Sequence, residues 1–291
     1  MAAPPPAVAA RPPVILQTCE PPRCEVHHGA EHSNGWRHRQ EWTPDRLFDP
    51  KVLFSGDQDI EVHTPRWTYV GCGHSDVPAG TTPWHVDAIV IAIDAVTPLE
   101  GDRYRTTLAF GYWLADQSRL NAWLFRPLPE DQRDLQFYAD VQAAHGALAI
   151  AGNVSRLRVE GLPLRHVVIK TSSPDLVHAM TGPDIFHWRY SGYPAHNTTF
   201  KHAQEVRQLD KEIVLLNHRR IEVSFWLVQQ RRNKIAQQCA IHAVEKFMEK
   251  DCSAHPKSRG MGRVLRPSPP PTDNQGEQAR PLQFTDTEYS T

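Results

Sequence analysis

The sequence predicts a mixed α/β domain: a five-stranded sheet with helices on both faces, flanked by Pro-rich ends. Apolar β-type runs and amphipathic stripes follow one another in the order β-β-β-α-β-α-α-β-α between about Arg66 and Lys250. The first three runs are joined by short links, as in an antiparallel meander, and the later ones alternate with helices. The 25 prolines crowd towards the two ends of the chain, where little apolar surface is available to offset ordering entropy. The expected organisation is therefore an irregular or disordered extension over residues 1–65, one domain over 66–250, and a disordered tail over 251–291.

The domain opens with the short run Trp67-Thr68-Tyr69-Val70, which stops at Gly71-Cys72-Gly73. The run Ala88 to Ile93 is apolar at nearly every position and reads as a buried strand. Thr106 to Trp113 follows after the turn-rich Pro98 to Asp102. A helix is expected over Leu135–Ile150, with Val141, Ala144 and Leu148 on one face. The strand His166–Ser172 breaks at Ser172-Ser173-Pro174 and feeds a helix start. Gln204 to Leu216 carries the stripe Val206, Leu209, Ile213 and Leu216. Ile221 to Val228 is a strand, and Asn233 is placed to cap a last helix with Ile235, Cys239, Ala243 and Phe247 at four-residue spacing.

Composition narrows the function classes. The net charge is -1, with 40% hydrophobic and 22% charged residues, which suits a globular protein and not a general polyanion binder. Basic residues nevertheless outnumber acidic ones from Lys201 to Arg266, and a local basic face attracts phosphates even when the total is neutral. No stretch reaches membrane-spanning length. The five cysteines show no framework spacing, so an intracellular, cytoplasmic or nuclear location is expected. Cys19 and Cys24 with His27, His28 and His32 form a weak zinc pattern, better read as irregular linker.

Four segments, in order and spacing, resemble the ribonuclease H type 1 superfamily, in the variant form common in filamentous fungi. Tyr69-Val70-Gly71 stands where the family has a strand ending in Asp-Gly. Tyr138-Ala139-Asp140-Val141, followed by Ala147-Leu148, stands where it has an Ala-Glu-Leu helix. Val167 to Ser173 matches its strand ending in Thr-Asp-Ser. Phe225 to Val228 and then Asn233-Lys234-Ile235-Ala236-Gln237 match a strand, a basic loop and Asn-x-x-Ala-Asp. His187 to Tyr193 resembles the family's Lys-Trp-x-x-x-Gly-Trp stretch.

The resemblance implies an RNase H-like fold and a site of four carboxylates holding two Mg²⁺. On this alignment Asp140 is the only carboxylate kept, and Gly71, Ser172 and Gln237 are vacated positions. Mg²⁺ prefers anionic oxygens, so the usual two-metal site is not expected to form. Any metal would sit weakly at Asp140. The hydroxyls of Ser172 and Ser173 lack a nucleophile elbow and are read as satisfying the strand-to-helix turn.

The implied function is a catalytically degenerate RNase H-like protein, without cofactor, that binds RNA–DNA hybrid or other nucleic acid. Trp188, Arg189 and Tyr193 in the His187–Tyr193 stretch, and Arg231, Arg232 and Lys234 ahead of the last helix, are the candidate contacts. Packing and a solvated loop explain them about equally well. Two further readings stand beside it. One is an active, Mg²⁺-dependent ribonuclease H-type endonuclease rebuilt around Asp140, Asp76 and Asp175. The other is a protein-interaction module.

Overall fold

The computed structural model describes residues 46–50, 60–71, 84–97, 107–127, 134–157, 159, 163–192 and 202–254. The Pro-rich ends, the Cys19–His32 cluster, Asp76 and Tyr193 lie outside the described residues. Among the described residues no helix is long and apolar enough to cross a membrane.

Seven strands form one sheet: β1 (Glu61–His63), β2 (Thr68–Gly71), β3 (Trp84–Val96), β4 (Thr107–Trp113), β5 (Ala122–Pro127), β6 (His166–Thr171) and β7 (Glu222–Leu227). The long β3 is the centre. Its C-terminal half pairs antiparallel with β4, and β4 with β5. On its other edge β3 pairs parallel with β6, and β6 with β7. The β1–β2 hairpin pairs with the N-terminal half of β3, where the register shifts between Tyr69 and Val70.

Five helices complete the fold: α1 (Leu135–Leu157), α2 (Pro174–Thr181), α3 (Pro183–Ser191), α4 (Ala203–His218) and α5 (Lys234–Ala254). Successive strand residues point to opposite faces, which shows how the layers are arranged. Tyr112 abuts Gly146 of α1, whereas its neighbour Gly111 abuts Ala236 and Ala240 of α5. The sheet is thus sandwiched, with α1 on one face and α5 on the other. The main core lies on the α1 side and joins Ile89, Ile91, Ile93, Phe110 and Ile169 to Val141, Leu148 and the whole expected α4 stripe, Val206, Leu209, Ile213 and Leu216.

Three sequence expectations need correction. The sheet has seven strands, not five, because the Glu61–His63 hairpin strand and Ala122–Pro127 were not anticipated. β5 has only the four-residue apolar run Ala122 to Phe125, cut off by Arg126 and Pro127, at the lower limit of a strand signal. The domain also begins before residue 66. Arg46 is wholly buried and its backbone pairs with Phe225. On α5, the buried face is Ala236, Ala240 and Ala243, while Ile235 is 45% exposed. Small side chains win this face because the helix presses against Gly111, where a Cβ would lie 2.1 Å from the Ala236 carbonyl oxygen.

Candidate functional site

The parallel strands β3, β6 and β7 end on the same side of the sheet, and α1, α2 and α5 begin there. A crevice outside the carboxyl ends of parallel strands is where α/β folds gather side chains from several elements. Here it gathers Asp94 from β3, Asp140 and Gln136 from α1, Ser172 and Ser173 from the end of β6, and Gln230 and Asn233 from the turn into α5.

Asp94 ends the apolar run of β3. One carboxylate oxygen accepts from the Ala95 backbone N–H at 2.9 Å. The other accepts from Gln230 Nε2 at 2.8 Å and from Asn233 Nδ2 at 3.2 Å, and the Ser172 hydroxyl adds a further hydrogen bond. Burial raises its pKa above the ordinary 3.8, with these hydrogen bonds pulling the other way. Asn233 also donates to the Ile93 carbonyl at 2.7 Å, which ties the start of α5 to the end of β3. Its Oδ1 is buried with no hydrogen-bond partner among the described residues, so the side chain serves β3 and does not cap the helix.

Asp140 is 8% exposed. Burial pushes its pKa from 3.8 up to about 7; hydrogen bonds from Ser173 and Gln136 oppose this, while the carboxylates of Asp94 and Asp175 add to it. The Gln136 bond is 2.9 Å, and the same Nε2 donates to the Ala95 carbonyl at 3.2 Å. Ser173 also caps α2, its Oγ accepting from the Leu176 N–H at 3.3 Å. The tip hydroxyls thus satisfy both a turn and two carboxyl groups.

The most consequential correction concerns Gly71. It sits opposite Trp84 at the start of β3, ten residues from Asp94. At ~3.3 Å per residue that is roughly 30 Å away. The strand that ends at the site is β3, and its acid is Asp94. The crevice therefore gathers two carboxyl groups, Asp94 and Asp140. Missing β5 shifted the strand count by one and moved the expected position onto β2. A carboxylate closing the apolar run Ile89 to Ile93 was the signal available in the sequence.

The remaining candidates divide. Ser172 joins the group, and Gln237 lies one helical turn after Asn233 on α5, partly buried. Arg189 is not available to a ligand: its Nε and Nη2 grip both oxygens of Asp210 at 2.7 and 2.6 Å. Asp210 also pairs with Arg46 at 2.7 Å. Trp188 is packed against the main core. Arg231, Arg232 and Lys234 are exposed; Arg231 and Arg232 lie on the 3-10 turn Gln230–Arg232, which Gln230 anchors to Asp94.

The donor set does not fit a pair of divalent cations. Two Mg²⁺ bring four positive charges, against the two carboxyl groups of Asp94 and Asp140, with neutral Ser172, Ser173, Gln136, Gln230 and Asn233 around them. Amide and hydroxyl donors already take up lone pairs on both. Among the described residues no group of three or more His, Cys, Asp or Glu side chains is placed to hold a metal ion.

The strand order, with an antiparallel β3-β4-β5 meander continued by parallel β6 and β7 and helices on both faces, makes this an RNase H-like α/β fold. No family model and no curated protein matches the chain. Solved structures do. RNase H1 from a compost metagenome is similar with 15% identity and a TM-score of 0.37, over 56% of this chain and 99% of that one. RNase H1 of Halobacterium salinarum gives 12% and 0.33, over 55% and 98%. The N-terminal RNase H domain of a Mycobacterium tuberculosis protein gives 16% and 0.34, over 56% and 98%. The fold assignment rests on the strand order itself.

Proposed function

We propose that this protein binds nucleic acid across the crevice, through phosphate contacts, without two-metal hydrolysis. One observation carries the reading. The turn bearing Arg231 and Arg232 is fixed to Asp94 by Gln230 and Asn233, so exposed cations stand beside a crevice whose donors do not suit two metal ions. Lys234, at the start of α5, extends the same basic edge. Fixed guanidinium groups suit phosphate oxygens geometrically, and the positive end of the helix dipole adds to their field.

The test is anisotropy of a labelled RNA–DNA hybrid and of duplex DNA over a salt series, run beside a cleavage assay with Mg²⁺ or Mn²⁺. Binding should weaken linearly in log–log form with salt. Replacing Arg231 and Arg232 together by Gln should reduce the slope by about 2, at slightly under one per phosphate contact. No cleavage is expected. Binding that ignores salt would overturn the reading.

A second reading has its own support. Asp175 lies close enough to raise the Asp140 pKa, as Asp94 does, so Asp140 feels two neighbouring carboxylates. A rebuilt ribonuclease site would then show EDTA-sensitive cleavage that Asp140→Asn and Asp175→Asn each remove.

A further inference from the structure

β7 is the last strand of the sheet, and among the described residues only part of its outer edge is covered. Phe225 N–H donates to the Arg46 carbonyl at 2.7 Å, and Phe48 N–H donates to the Phe225 carbonyl at 2.9 Å, with Leu47 in a parallel bridge to Phe225. A parallel ladder would continue with Leu227 N–H donating to the Phe48 carbonyl. Among the described residues that bond is not made. Among the described residues nothing continues the ladder at Leu227, and the backbone is extended at Gln229, φ -66° and ψ 146°.

A groove of about 420 Å³ opens at this point. Leu47 and Leu227 line it with exposures of 53% and 44%. Phe48 and the buried Trp226 lie deeper. Arg231 and Arg232 line it as well. The Arg232 guanidinium lies 5.6 Å from the Trp226 ring centroid, and Arg231 Nε donates to Gln229 Oε1 at 2.8 Å, so both cations are held in place. Asp49 is the one acid among the lining residues.

An open strand edge templates an extended chain. In an added strand, side chains on one face recur about every 6.8 Å, so an apolar pair followed by an acidic pair would match the chain order from Leu227 to Arg231 and Arg232. We propose that the β7 edge docks an extended, acidic segment of a partner protein, its apolar side chains on Leu47 and Leu227 and its carboxylates on Arg231 and Arg232. A nucleic acid would meet the two cations but has no amides to continue the ladder. Because the same arginines belong to the proposed nucleic-acid face, the bound segment displaces nucleic acid; that clause alone rests on the function proposed above.

The test uses the full chain, ¹⁵N-labelled, and the peptide acetyl-Leu-Thr-Phe-Thr-Asp-Thr-Glu-Thr-amide. Saturable binding is expected, with a shift of the Leu227 amide resonance. The double replacement Arg231→Gln, Arg232→Gln should weaken it about tenfold, and so should a peptide with Asn and Gln in place of its acids. No saturation up to about 1 mM, or equal affinity for the double variant, overturns the proposal. Loss of peptide binding with nucleic-acid binding intact refutes this inference alone. The opposite pattern refutes the nucleic-acid reading alone.

Discussion

Asp140 makes the stability of this protein fall as pH rises through the mildly acidic range. Its carboxyl group is buried at the sheet end and titrates at about 7, against 3.8 for an ordinary aspartate. Between those values the native chain keeps a proton that the unfolded chain has lost, so raising the pH favours unfolding. At ~1.4 kcal/mol per pH unit the interval corresponds to about 4 kcal/mol. That contribution is complete below about pH 4 and gone above about pH 7. Asp140→Asn removes the titration and leaves an amide oxygen to accept from Gln136. Urea unfolding of both proteins from pH 4 to pH 8 should give equal stabilities near pH 4. The variant should then gain ~1.4 kcal/mol per pH unit, levelling off near pH 7. Parallel curves across that range would refute the reasoning, since they would mean that the folded carboxyl is solvated.

Other perturbations follow from the same geometry. Arg46→Met removes one of the two guanidinium groups on buried Asp210 and should destabilise by about 3 kcal/mol in chemical denaturation; a loss under about 1 kcal/mol would make the pairing incidental. Gly111→Ala places a Cβ 2.1 Å from the Ala236 carbonyl oxygen and 2.5 Å from the Ala240 nitrogen. It should displace α5 and lower stability by at least about 1–3 kcal/mol, visible as a reduced melting temperature with changed near-UV circular dichroism. Gln230→Ala cuts the 2.8 Å tie to Asp94 without changing charge. It should cost about 1 kcal/mol, speed hydrogen exchange at Arg231 and Arg232, and weaken hybrid binding; unchanged exchange would show that the turn needs no such anchor.

How much of this was legible in the sequence depended on whether an element carries its own signal. The α4 stripe Val206, Leu209, Ile213 and Leu216 is buried throughout, because its period alone decides which face meets the core. The strand-to-helix break at Ser173-Pro174 is also local: a hydroxyl and a proline suffice to cap and start α2. β5 has a weaker mark, the four apolar residues Ala122 to Phe125 stopped by Arg126 and Pro127, and its place is fixed by ladder bonds to β4. The site inherits that blindness. Asp94 is separated from Asp140 by 46 residues, and only the correct strand count brings them to one end of the sheet. Arg189 fails for a related reason, because nothing near it in sequence announces Asp210. At that end of the sheet Asp94 accepts from Gln230 and Asn233 and Asp140 from Gln136, so neutral side-chain amides surround both carboxyl groups. Under the proposed function the arginines of the neighbouring turn are the groups a phosphate would meet, and Gln230 and Asn233, bonded to Asp94 and to the Ile93 carbonyl, are what hold that turn against β3.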